Sequence, residues 1–214
     1  MRITGGQFGG RNLKVPKTDL IRPTQDRVRE ALFNILAPEL EGADFLDLFA
    51  GCGAVGLEAL SRGARSVTFV EKDRRHAAVL RENLASLQGG SGVSHPSSDI
   101  ASQRSLRSGD MLQSQTLTSI VLADCYRYVA GYSGPGFSIA FADPPYALGE
   151  ERGYAQTLAA LAERGVVRPG GLFVAEMTAV QRAEETPGWE LLRDRTYGKT
   201  RLCIWRRTKQ GSEA

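Results

Sequence analysis

From Asp44 onward, short apolar runs alternate with stretches in which apolar residues recur every three or four positions. DFLDLF (44–49), SVTFVE (66–71), SIVLA (119–123), FSIAFA (137–142) and GLFVAEM (171–177) read as buried strands. GCGAVGLEALSRG (51–63) reads as a turn that opens a helix, and RRHAAVLRENLASL (74–87) and YAQTLAALAERG (154–165) as two further helices. WELLRDRTYGKTRLCIWRR (189–207) reads as two strands around a turn near Gly198. Strand–helix alternation with strands apolar on both faces predicts an α/β fold. Its sheet is seven-stranded and mostly parallel, covered on both faces and closed by a C-terminal antiparallel hairpin.

The first 43 residues follow other patterns. Residues 1–15 alternate weakly and hold Gly5, Gly6, Gly9 and Gly10, which predicts a small N-terminal β-hairpin. An extended link with Pro16 and Pro23 comes next. A helix is then expected with Thr24 or Asp26 as its N-cap and with Val28, Leu32, Ile35 and Leu36 on one face. Residues 88–118 are rich in Ser, Gly and Gln without periodicity and read as a flexible insertion. The expected division is a basic hairpin and link (1–22), a main domain (23–207) and a tail (208–214).

Charge changes this picture more than composition does. The chain carries a net charge of only +3, but residues 1–30 sum to +4 and residues 193–209 to +6, which leaves −7 for the remainder. Basic ends that met in space would form a surface for phosphates. Cys52, Cys125 and Cys203 are odd in number and widely spaced, and neither histidine has a ligand pattern around it. Neither a disulfide framework nor a metal is therefore expected. The absence of an apolar leader pattern and of a long apolar run makes a reducing cytoplasm the simplest compartment.

Two motifs carry chemistry. Asp47-Leu48-Phe49-Ala50-Gly51-Cys52-Gly53-Ala54-Val55-Gly56 follows a strand and opens a helix. Its glycines let the backbone approach a ligand closely, and Glu71 lies about 20 residues on, where an acid accepts bonds from ribose hydroxyls. The spacing suits a dinucleotide as well. Asp47 ahead of the loop favours a cofactor bearing an ammonium group, S-adenosylmethionine. Asp143-Pro144-Pro145-Tyr146 follows FSIAFA at the same sheet edge. An exocyclic amine on a base is a poor nucleophile because its lone pair is delocalised. The Asp143 carboxylate and the Pro144 carbonyl would each accept an N–H and favour a pyramidal nitrogen. The prolines would fix the backbone, and Tyr146 would stack on an extruded base. Asp124, at the end of SIVLA, is a weaker candidate for the cofactor's adenine amine, with the Cys125 N–H beside it. Cys52 reads as a small packed residue, not a nucleophile.

DLFAGCGAVGLEALSRGA, VEKD and DPPY together resemble class I methyltransferases that modify amino groups, a Rossmann-like fold. RITGGQFGGRNLKVP and RPTQDRVREALFNIL narrow the resemblance to the RsmD family, bacterial methyltransferases that make N2-methylguanosine in small-subunit rRNA. The resemblance covers residues 2–87 and 119–206. It implies that Asp47, Phe49, Gly51, Gly53, Gly56, Glu71, Asp124 and Cys125 hold S-adenosylmethionine and that Asp143, Pro144, Pro145 and Tyr146 hold the guanine. It further implies that Arg2, Arg11 and Lys14 of the hairpin grip RNA and that Arg22, Thr24 and Arg27 border the cleft. The implied partner is 16S rRNA in the small subunit or an assembly intermediate. The insertion is longer than the family's usual link. A DNA adenine-N6 methyltransferase shares the DPPY logic, a nucleotide-binding oxidoreductase shares the glycine loop, and a non-catalytic assembly binder would need neither.

Overall fold

The predicted alternation is realised as one sheet built from β1 (Asp44–Asp47), β2 (Ser66–Glu71), β3 (Leu117–Leu122), β4 (Phe137–Ala142), β5 (Val167–Thr178), β6 (Trp189–Tyr197) and β7 (Thr200–Arg207). The strand order is β3-β2-β1-β4-β5-β7-β6. The five strands β3 to β5 pair in parallel, and β7 pairs antiparallel with both β5 and β6. The helices are α1 (Thr24–Leu40), α2 (Ala54–Ser61), α3 (Arg74–Leu87), α4 (Cys125–Ala130) and α5 (Tyr154–Glu163). This computed structural model describes residues 1–16, 24–88, 117–144, 154–183 and 185–209, with residues 24 and 25 described as backbone only.

Each face of the sheet has its own apolar core. Val28, Leu32 and Leu36 of α1, Leu57 of α2 and Leu80 of α3 pack on Phe45, Phe69, Phe141 and Val174. Val129 of α4 and Leu158 and Leu161 of α5 pack on Leu46, Val70, Ala140 and Phe173 from the opposite side. Consecutive strand residues alternate between the two clusters, as a pleated strand requires. Each fully buried Leu or Phe contributes about 1.5–3 kcal/mol.

Three elements differ from the sequence reading. Helix α4 was not anticipated. CYRYVA is only six residues long and rich in aromatic and β-branched types of modest helix propensity. It is set by Asp124, whose Oδ1 accepts the N–H groups of Tyr126 (3.1 Å) and Arg127 (3.2 Å). Strand β5 begins upstream of the predicted run, through a Pro169-Gly170 pair that reads locally as a turn, and its register against β4 shifts between Phe137 and Ile139. Of the expected insertion, Leu117 and Thr118 already belong to β3, and 89–116 lie outside the described residues.

The N-terminal hairpin is minimal: a single Arg2–Asn12 bridge, with Ile3 donating to the Arg11 carbonyl (3.0 Å) and Gly10 to the Ile3 carbonyl (2.9 Å). Docking, more than pairing, holds it in place. The Thr4 amide and hydroxyl both donate to the Glu58 carboxylate, at 2.7 Å each. Ser61 receives the amides of Gln7 (2.8 Å) and Phe8 (2.9 Å). The Asn83 side chain bonds both the N–H and the C=O of Lys14, at 2.8 and 3.0 Å, and the Cys52 carbonyl at 2.9 Å. Glu58 is fully buried and also faces Arg62 (2.8 Å) and the buried Arg29 (3.4 Å). Arg29 in turn donates to the Arg2 carbonyl and to Asp26.

Removing one partner of a buried ion pair leaves the other charge without compensation, at a cost of about 3–5 kcal/mol. Glu58→Ala is therefore expected to lower the urea midpoint by that amount of stability and to expose the hairpin to limited proteolysis. An unchanged midpoint would show that solvent compensates Arg29.

Candidate active site

Phe45, Phe69, Phe141 and Val174 point into the core beneath α1, α2 and α3. Two residues further along their strands stand Asp47, Glu71, Asp143 and Glu176, so the period of two puts all four acids on that same face. They gather at the carboxyl edge of the parallel strands, where ligands of open α/β sheets bind. Asp47, Asp143 and Glu176, with Phe49, Gly51 and Arg29, line a cavity of about 280 Å³.

The glycine loop shapes the floor of this cavity. Gly51 and Gly53 both have positive φ, at 54° and 90°. A side chain on Gly53 would also meet Leu80 at 2.2 Å, whereas one on Gly51 would meet nothing within 4 Å and would fill open space. Gly56 packs so closely on Phe69 that an added Cβ would lie 2.2 Å from the ring, which presses α2 onto the sheet. Its amide donates to Asp47 Oδ2 at 3.0 Å. Asp47 Oδ1 is buried and has no hydrogen-bond partner among the described residues. Burial pushes the Asp47 carboxyl up to about 7 against the opposing backbone N–H groups of Gly56 and Phe49. Glu71 is held from two sides, by the amides of Gly51 (2.7 Å) and Asp73 (2.7 Å). The Ala123 amide donates to the Glu71 carbonyl (3.0 Å), which sets Asp124 beside it at the same edge. Cys125 is buried behind the Asp124 cap.

On the DPPY segment, Asp143 is exposed and Pro144 half-buried; Pro145 and Tyr146 lie outside the described residues. Pro144, Phe49, Cys125 and Tyr126 line a second, mostly apolar cavity of about 310 Å³ between α4 and α5. Phe49 lines both cavities and stands between them.

A family model described as conserved hypothetical protein 95 matches residues 1–124 and 110–206. The chain belongs to this family, the RsmD family. Ribosomal RNA small subunit methyltransferase D of Escherichia coli is 34% identical over 212 residues, 99% of this chain and 92% of that protein. The protein of the same name from Haemophilus influenzae is 33% identical over 198 residues, covering 92% of this chain and 89% of its own length. The solved structure of yhhF from Escherichia coli superposes with a TM-score of 0.76 at 34% identity, over 98% of this chain and 99% of that one. The fold of this RsmD-family chain is thus the Rossmann-like methyltransferase fold expected from the sequence.

The basic candidates divide into two groups. Arg2 and Arg27 are exposed and line one cleft between the hairpin and α1. Arg11 instead donates to the carbonyls of Ser86 (3.3 Å) and Leu87 (3.0 Å) at the end of α3 and lies over the Phe8 ring, while Lys14 pairs with Glu82 at 2.7 Å. Those two side chains fasten the hairpin to α3. Thr24 begins α1, and Arg22 lies outside the described residues. The two basic ends dock on different parts of the sheet. The hairpin rests on α2 and α3, whereas Arg201, Arg206 and Arg207 on β7 are tied to Asp194, Glu39 and the carbonyls of Val167 and Ala162. Among the described residues no acidic, histidine or cysteine cluster is arranged to hold a metal, and no helix is long and apolar enough to cross a membrane.

Sequence reasoning missed Arg29 and Glu176. Glu176 had a signal: it follows Val174 by two residues in GLFVAEM, as Glu71 follows Phe69 in SVTFVE. Arg29 had none, because a buried arginine is legible only through its partners.

A cofactor with an ammonium group and a flat nucleoside fits these residues. The unpartnered Asp47 oxygen would accept the ammonium, the open space at Gly51 admits it, and Glu71 stands at the next strand. The folded-state Asp47 value is raised from 3.8 to about 7, so between these values the folded chain holds a proton that the unfolded chain has lost. Stability from this group is present at low pH and falls as pH rises across that window. Asp47→Asn should flatten the slope and weaken S-adenosylmethionine binding about tenfold or more at pH 7.5. Wild-type affinity should improve from pH 6 to 8 in titration calorimetry. A dissociation constant unchanged by the substitution would remove Asp47 from the cofactor site.

Proposed function

We propose that this chain methylates the exocyclic N2 amine of a guanine in small-subunit (16S) rRNA, using S-adenosylmethionine. The supporting observation is one cavity lined both by Asp47, a buried carboxylate with one oxygen lacking a hydrogen-bond partner among the described residues, and by Asp143, the first DPPY acid, which follows the adjacent strand. The names of the Escherichia coli and Haemophilus influenzae relatives favour small-subunit rRNA as the substrate class.

The bound cofactor would supply a methyl group on a sulfonium centre. Asp47 would orient its ammonium end, and Glu71 and Asp124 its ribose and adenine, with the Cys125 amide beside the base. Gly51 would let the backbone approach it, Gly53 and Gly56 would serve by packing the loop and α2 onto Leu80 and Phe69, and Phe49 lines both cavities. Asp143 and the Pro144 carbonyl would accept the two N–H groups of the guanine amine, which localises its lone pair toward the methyl group. Pro145 would keep these acceptors rigid, and Tyr146 would stack on the base. Positioning and preorganised acceptors supply the acceleration. Arg2 and Arg27 would hold phosphates, and the family resemblance would add Arg22 and Thr24 to them. Arg11 and Lys14 serve this grip by keeping the hairpin in place.

Methyl transfer from labelled cofactor to small ribosomal subunits lacking the modification, followed by nucleoside mass spectrometry, should yield N2-methylguanosine. Label on adenine, or only on DNA added in parallel, would replace this reading with the adenine-N6 one. Asp143→Ala should lower kcat about 10²–10³-fold with cofactor affinity retained. Full activity in that variant would take Asp143 out of the mechanism. Replacing Arg2 and Arg27 together by Gln should reduce the salt slope of rRNA binding by about two. An unchanged slope would place the RNA elsewhere.

A further inference from the structure

The carboxyl edge holds one acid that the proposed chemistry does not use. In the parallel register of β4 and β5, Ala142 faces Ala175, so the next positions, Asp143 and Glu176, stand side by side. Both line the 280 Å³ cavity that Asp47 also lines. Neighbouring strands run about 4.8 Å apart. The backbone is fixed there, because Glu176 pairs with Leu202 of β7 and the buried Tyr154 hydroxyl donates to the Glu176 carbonyl at 3.0 Å. Glu176 itself is half-buried, at a depth that an inserted base edge would desolvate.

Guanine presents two kinds of donor next to each other, the N2 amine and the N1–H. Adenine presents an N6 amine beside an N1 lone pair. A single acceptor such as Asp143 can hold either amine. A second carboxylate beside it separates the two bases, since it would accept the guanine N1–H and would face the adenine N1 lone pair with like charge.

We infer that Glu176 is the specificity-determining residue for guanine, accepting the N1–H while Asp143 and the Pro144 carbonyl hold the N2 amine. This inference rests on the guanine-N2 reading above and deepens it. A site that matches a donor with an acceptor discriminates against an analogue lacking that donor, because the acceptor then faces a lone pair.

The test uses small subunits reconstituted from ligated 16S rRNA that carries either guanine or 2-aminopurine at the mapped methylation position. 2-Aminopurine keeps the reacting amine but has an unprotonated N1. The wild-type chain is expected to methylate guanine roughly 100-fold faster than 2-aminopurine. Glu176→Gln should narrow that ratio below about tenfold, because an amide accepts from N1–H through its oxygen and donates to a bare N1 through its nitrogen. Cofactor affinity within twofold of wild type would show that the variant's site is folded. N2-methylguanosine formation with an unchanged ratio in Glu176→Gln overturns the inference alone. A wild-type reaction that yields no N2-methylguanosine on the guanine substrate overturns the underlying reading, and the inference with it.

Discussion

In a parallel sheet every strand ends at the same edge, and the pleat sends each second residue to the same face. The site depends on both constraints acting together. Phe45, Phe69, Phe141 and Val174 are buried against the three helices of one face, and that burial fixes the phase of β1, β2, β4 and β5. A slip of one residue in any of these strands would send its phenylalanine or valine to the wrong core. The same slip would turn Asp47, Glu71, Asp143 or Glu176 away from the cavity. The apolar core therefore aims Asp47, Glu71 and Glu176, and Asp143 follows directly after β4. The glycine loop adds only what a regular strand cannot: a turn close enough for the Gly56 amide to reach Asp47 and for Gly51 to leave space open above it.

A second tie brings the amino-terminal hairpin to this edge. The hairpin has too little pairing of its own to be stable in water, where even a regular two-stranded hairpin is marginal. Glu58 anchors it by taking both donors of Thr4, and the same carboxylate faces Arg29 and Arg62. Arg29 reaches the hairpin backbone at Arg2 on one side and lines the cavity on the other. Asn83 makes a parallel link, since one amide bonds Lys14 and the carbonyl of Cys52 in the glycine loop. The segment that carries exposed basic residues is thus joined to the loop that forms the cavity floor through buried polar bonds. Such bonds are costly to break, so the hairpin and the loop hold a fixed relation.

Much of this arrangement was legible in the sequence, and the reasons are specific. Most of the strands could be read because each is a compact apolar run, β6 through its turn near Gly198, and the acid-ended strands SVTFVE and FSIAFA-D pointed to Glu71 and Asp143. The turn after Asp47 was legible because glycines at 51, 53 and 56 leave few alternatives. Helix α4 was not, because six residues of modest propensity give no period and the cap at Asp124 carries the decision. The fates of Arg11 and Lys14 were not legible either. Their charge suggested a polyanion, but whether a basic side chain meets a phosphate or a helix end depends on tertiary contacts, here with Ser86, Leu87 and Glu82. Glu58 looked like an ordinary helix residue, and only the docked hairpin shows why a carboxylate stays buried there.

The charge of the cavity explains why the basic residues lie outside it. Asp47, Asp143 and Glu176 all line it, and among its lining residues Arg29 brings the opposing charge, already shared with Glu58 and Asp26. An enclosed space of this kind repels phosphate and favours occupants that are cationic or rich in N–H donors. A sulfonium and ammonium cofactor meets that condition, and so does a base that offers its donor edge. The backbone of a nucleic acid does not, so it has to be held outside the cavity; Arg2 and Arg27 are exposed in the cleft between the hairpin and α1, where Asp26 and Glu30 also stand. Part of the uneven charge along the sequence then has a physical origin: acids stand at strand ends where donors are to be received, and the exposed basic residues of the amino-terminal segment lie outside the cavity, whereas those of β7 are tied to Asp194, Glu39 and backbone carbonyls.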